Sequence, residues 1–181
     1  HGGSAGPLRG AKGSTFEGGM REPTIFWWPG KLKQGVVMDM GTTLDLLPTF
    51  AQLSKTALPS DRVYDGVDLS PLLFGTGKSG RETVIYYHGT EVYAVRWGDY
   101  KAHFFTQIEY GSQTAHPITN PPTEIASQKT AHEIPFLLNL AEDPGERLNI
   151  AEKHPEIIAK IREILAIHKQ TIVPVENQLE K

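Results

Sequence analysis

Apolar and polar positions change rhythm along this chain. In "REPTIFWWP", residues 21–29, β-branched and aromatic side chains form one continuous block closed by Pro29-Gly30. That is the pattern of a strand covered on both faces, and it predicts a central strand of a parallel sheet. In "TTLDLLPTFAQLS", residues 42–54, Leu44, Leu47, Phe50, Ala51 and Leu53 recur near helical spacing. Asp45 is the expected cap, which places Pro48 in the first turn, where proline is tolerated. The turn-rich stretch "LPSDRVYDGVDLSPLLFGTGKSGRE", residues 58–82, reads as a long surface connection.

Beyond residue 80 the pattern alternates. "ETVIYYHG", "VYAVRWGDYKAHFFT" and "IPFLLNLAEDPGE" are aromatic and β-branched segments separated by turn formers, with Gly98-Asp99 as a hairpin corner. They predict an antiparallel sheet. In "HPEIIAKIREILAIHKQ", Ile157, Ile158, Ile161, Ile164 and Leu165 share one helical face, Pro155 stands in the first turn, and Lys160, Arg162 and Lys169 turn to solvent. This helix is expected to cover one face of the sheet. The polar, proline-containing stretch "IEYGSQTAHPITNPPTEIASQKTAHE", residues 108–133, is expected to be a loop at the sheet's edge, and the segment from Gln107 to Thr130 to contribute pocket wall. The organisation is therefore α/β over residues 1–58, a linker over 59–80, and a small α+β region over 81–181.

Composition narrows the class. With 181 residues, 39% hydrophobic and 22% charged, the chain can bury a core. A net charge of -3 with scattered lysines and arginines gives no basic stripe, so nucleic acid is not an expected partner. No apolar run approaches the roughly 20 residues that cross a bilayer. The absence of cysteine excludes disulfides and a cysteine nucleophile within these residues.

Several strings suggest chemistry and fall short of it. "GTGKSG", residues 75–80, has Leu72 where a phosphate-cradling loop needs its first glycine, and no buried strand precedes it. No histidine pair has helical zinc spacing, no acidic run has the calcium-loop pattern, and no serine stands in a Gly-x-Ser-x-Gly elbow. No metal site is complete in the sequence.

"GPLRGAKGSTFEGGMREPTIFWWPG", residues 6–30, resembles the second signature of the sulfatase family, in the alkaline-phosphatase-like superfamily. There a glycine-rich lysine loop and an "EGG-x-REP" turn lead into a core strand. "LDLLPTFAQL", "YDGVDLSPLL", "YAVRWGDYKAHFFTQ" and "TAHEIPFLLNLAEDPGE" follow in the order found in arylsulfatases. The resemblance implies that residues 1–58 end the large α/β catalytic domain and that 81–181 form the C-terminal subdomain of sheet plus helix. It implies hydrolysis of aryl or carbohydrate sulfate monoesters by a calcium-bound formylglycine hydrate. The family's Cys/Ser-x-Pro-x-Arg motif occurs nowhere in this chain. The nucleophile, most calcium ligands and an N-terminal part of the same protein are therefore expected upstream, and this chain alone is expected to be inactive. Export to the periplasm, the extracellular space or the lysosome is implied as well.

The same resemblance assigns Lys12 to the sulfate oxygens as a catalytic and substrate-binding residue, and His132 of "TAHE" as a substrate-binding residue over the pocket. Sulfate-ester cleavage demands cationic donors around charge that shifts towards the leaving oxygen. Lysine supplies a compact charge on a flexible stem. A solvated loop lysine and a backbone-satisfied histidine are the plain alternatives. Glu17 and Arg21 are expected to brace the turn, and Trp97, Tyr100, Phe104 and Phe105 to be sheet core. The competing view of the whole chain is a non-catalytic oligomerisation or ligand-binding module of sulfatase ancestry. Upstream strands and helices of the complete protein are expected to bury Ile25, Phe26, Trp27 and Trp28, so the chain alone would expose them, which favours association and leaves a homo-oligomer open.

Overall fold

A computed structural model describes residues 4–107 and 129–173, and within them the chain forms two compact units. The first unites residues 4–21 with 83–107 and 129–173, and the second comprises 22–82.

A four-stranded antiparallel sheet is the frame of the first unit: β1 (Thr83–His88), β2 (Glu91–Trp97), β3 (Tyr100–Gln107) and β4 (Lys129–Asn139), paired in that order. The β2–β3 corner is Gly98-Asp99, as expected, with Trp97 opposite Tyr100. Gly98 has φ 56°, which glycine adopts without steric cost. Where β1 meets β2, Tyr86 pairs with Ala94 and Tyr87 with Val92, so Tyr93 is the extra residue of a bulge. That bulge places Val92 with Val95 in one apolar cluster, where strict alternation would separate them.

The two sheet faces differ in chemistry. Val92, Val95, Ala102 and Leu137 pack against Ile158, Ile161 and Leu165 of the long helix Pro155–Thr171, with Ile85, Trp97, Tyr100 and Phe104 beside them. This helix covers the sheet as its periodicity required, and Trp97, Tyr100 and Phe104 pack with it as expected, whereas Phe105 lies outside this cluster, beside Tyr93 and beneath the Lys129 ammonium. On the opposite face, cross-strand pairing groups Tyr86 with Ala94, Ala94 with His103, and Arg96 with Lys101. Residues 4–21 belong to that side, and their short helix α1 (Glu17–Met20) has Glu17 buried.

In the second unit the expected strand is not formed. Residues 21–28 carry no regular secondary structure, and Ile25 and Trp27 are 89% and 83% exposed. A strand buried on both faces needs partners for its backbone, and no other strand lies within this unit.

The expected helix does form, as a 3-10 turn Thr43–Asp45 running into α2 (Leu46–Leu53). Its apolar Leu44, Leu47 and Phe50 are exposed. Asp45 stands at the N-cap of α2 with Pro48 in the first turn, as expected, but makes no side-chain cap. Its carboxylate does not cap α2 but accepts from the Thr42 amide (2.7 Å), the Val67 amide (2.8 Å) and the Arg81 guanidinium. The connecting stretch is thereby tied to α2: Leu69 N donates to Thr49 Oγ1 at 2.9 Å, and Ser70–Leu73 forms a further short helix, α3.

Burial opposes ionisation of Asp45, but Arg81 and the amides outweigh it and hold the carboxyl below its usual range. Asp45→Ala strands a buried guanidinium, and losses of roughly 3–5 kcal/mol accompany such removals. Hydrogen-exchange protection of the α2 amides should fall roughly 100-fold or more. Unchanged protection would show that Arg81 and Asp45 do not hold this unit.

Candidate functional site

Lys12 sits exposed in a turn that closes on itself. Ser14 N donates to Ala11 O at 3.0 Å, and Gly18 N to Arg9 O at 2.7 Å. Helix α1 is seated against the inside of this turn with no room for side chains. A Cβ on Gly18 would come within 2.6 Å of Arg9 O, and one on Gly19 within 2.4 Å of both Ala11 O and Ser14 O. The "EGG" glycines are therefore required by backbone approach. No carboxylate among the described residues pairs with Lys12, so its ammonium is available to an anion.

Beneath the turn lies a buried ionic cluster. Lys101, on β3, has no exposed surface, and its three donors have three acceptors: Thr15 O at 2.7 Å, Glu17 Oε1 at 2.9 Å and Glu146 Oε1 at 3.0 Å. Tyr86 OH donates to Glu17 Oε1 (2.9 Å), and Arg96 Nη1 lies 3.5 Å from Glu17 Oε2. Burial, reinforced by the Glu17 charge, raises the Tyr86 hydroxyl well above its ordinary pKa and keeps it a donor. Glu17 thus braces the turn as expected; Arg21, at 3.9 Å from Glu17, is a looser partner.

His103 belongs to this cluster. It is fully buried, with Nε2 3.0 Å from Glu146 Oε1 and Nδ1 without a partner. We assign the proton to Nε2, because a bare Nδ1 lone pair is less costly to bury than an unpaired N–H. Protonation would create such an N–H; with burial as the leading cause, the pKa is lowered to about 4. For Glu146, burial acts upward, but the His103 hydrogen bond and the Lys101 charge hold it below the usual carboxylate value.

His132, on β4, is half-buried, with Nε2 2.9 Å from Thr106 Oγ1 and its ring stacked on Phe136 at 6.1 Å. Burial lowers its pKa. Ring contacts run from His132 to Phe136, on to His103 (6.5 Å), and from there to Phe16 (4.7 Å) at the edge of the lysine turn. The row of rings thus runs from His132 to Phe16, four positions beyond Lys12 in the chain. The segment expected to contribute pocket wall, from Gln107 to Thr130, lies mostly outside the described residues, and residues 129–133, expected to end the edge loop, instead open strand β4.

Sequence reasoning missed Lys101 and Glu146. The available signal was the pair Lys101 and His103 at strand period in "YKAHFF", which puts two basic groups on one face of an otherwise apolar strand. Such a face calls for a buried anion opposite it.

Comparisons with known proteins agree on one group. Residues 79–181 match the C-terminal region of aryl-sulfatase. Arylsulfatase A of Bos taurus is 48% identical over 162 residues, covering 87% of this chain and 31% of the relative. N-acetylgalactosamine-6-sulfatase of Canis lupus familiaris is 37% identical over 188 residues, covering 98% of this chain and 36% of the relative. Among solved structures, a sulfatase from Pseudoalteromonas sp. superposes with a TM-score of 0.75 at 28% identity, over 91% of this chain and 32% of that one. The chain spans about a third of the length of these relatives.

Proposed function

The chain belongs to the sulfatase family, and from that premise we propose that it is the C-terminal portion of an enzyme hydrolysing aryl or carbohydrate sulfate monoesters. The observation that carries this reading is an exposed, unpaired lysine on a turn fixed to a rigid sheet. Lys12 donates to the non-bridging sulfate oxygens, where a positioned cation gains strength as charge moves towards the leaving oxygen. His132, neutral at ordinary pH because burial lowers its pKa, offers a hydrogen bond to the sulfate or to a neighbouring hydroxyl. The reaction consumes water and releases the alcohol and sulfate.

Calcium and formylglycine are expected of the complete protein, but the residues present do not make their sites. The chain has no cysteine, and no group of three or more His, Asp or Glu among the described residues could hold a metal ion. No step is therefore assigned to these groups here. Family membership also supports export, and no described helix is long and apolar enough to cross a membrane.

The test compares the complete protein with residues 1–181. The complete protein, with its formylglycine verified and calcium supplied, should release phenol from an aryl sulfate, while the chain alone should give no turnover. Turnover by the chain alone would overturn its assignment as a partial enzyme. An inert complete protein, tested also on sugar sulfates, would favour the non-catalytic module.

A further inference from the structure

We infer that Glu146, assisted by Lys101 and Arg9, is a positioning residue that sets where the Lys12 ammonium stands. Glu146 addresses the lysine turn on both flanks. Its carbonyl accepts from Arg9 Nη1 at 2.8 Å, three residues before Lys12. Its Oε2 accepts from the Glu17 amide at 2.5 Å, five residues after it, while Oε1 is held by His103 and Lys101, both 3.0 Å away. Lys101 adds a third tether by donating to Thr15 O. The Arg9 guanidinium lies 4.1 Å over the Phe16 ring and joins the two flanks to each other.

The backbone of Glu146 carries a second, independent sign of this role. It stands at φ 53°, a left-handed conformation that favours glycine and costs a glutamate roughly 1–3 kcal/mol. A glycine in this turn after β4 would relieve the backbone and lose the carboxylate that reaches the lysine turn. Lys12 itself touches none of these groups, so the cluster acts on it only through the turn. A displacement of about 1 Å at a contacting group can cost 100-fold in rate.

This inference rests on Lys12 being the sulfate contact, and a double-mutant cycle in the complete protein separates the two. The rates are taken per formylglycine, with inorganic sulfate as the probe of ground-state binding. Glu146→Gln should lower kcat/KM about 10-fold and weaken sulfate inhibition. In a Lys12→Ala background it should change either quantity less than about twofold. Arg9→Met, which removes the guanidinium that reaches Glu146 O and Phe16 but buries no lone charge, should reproduce the pattern with a smaller loss. It decides the matter if Glu146→Gln does not fold. Equal losses in both backgrounds, or no loss in either variant, would overturn the positioning role. A near-normal Lys12→Ala would instead sink the reading of Lys12 itself.

Discussion

Lys12→Ala in the complete protein is expected to lower kcat/KM roughly 100-fold or more while leaving stability almost unchanged. The magnitude is that of removing one preorganised donor to charge developing in a transition state. The small effect on stability follows from exposure: Lys12 pairs with no described carboxylate, and the tethers of its turn belong to Arg9, Thr15 and Glu17. Lys12→Arg should recover little. A planar fork with fixed donor directions does not replace a point charge on a turn whose backbone is packed against Gly18 and Gly19. The rates must be expressed per formylglycine, since incomplete conversion imitates the loss. Near-normal kcat/KM in Lys12→Ala would return the residue to a solvated loop position.

Where one physical cause decided the outcome, the sequence was readable. The face Ile157, Ile158, Ile161, Ile164 and Leu165 could be buried only as a helix on a sheet, and it is. Gly98-Asp99 could only be a tight corner between two apolar runs. Residues 21–29 misled because a continuous apolar run reports burial without saying what covers it, and neighbouring strands are absent from residues 22–82. Asp45 was legible as the N-cap position of α2 but not as an ion-pair partner, because a capping residue and a buried ion-pair partner look alike in one dimension; Arg81 lies 36 positions away. The lysine turn was legible through its resemblance to sulfatases, whereas its support was not. Glu17, Lys101 and Glu146 meet only after residues 4–21 fold onto a sheet formed much later in the chain.

Lys101→Met is expected to be the most damaging single change to the first unit, and to flatten how that unit responds to acid. Methionine fills similar space but leaves two buried carboxylates, Glu17 and Glu146, without the cation between them. Removing one partner of such a buried pair costs roughly 3–5 kcal/mol. In the unaltered protein His103 has a folded pKa of about 4 against an ordinary 6.5. Its contribution is therefore complete above pH 6.5 and is lost as pH falls towards 4, because the unfolded chain takes the proton first. The lowered pKa of Glu146 extends that loss below its ordinary 4.5. In Lys101→Met the burial that raises Glu146 is no longer opposed by the ammonium, and His103 loses a repelling neighbour. Burial still lowers His103 and the His103 hydrogen bond still holds Glu146 down, so acidification from pH 6.5 to 4.5 should erode protection of the β3 amides less steeply than in the unaltered protein. Hydrogen exchange corrected for intrinsic rates reads both slopes. Curves of equal steepness, merely offset, would show that Lys101 does not set the charge balance of this cluster.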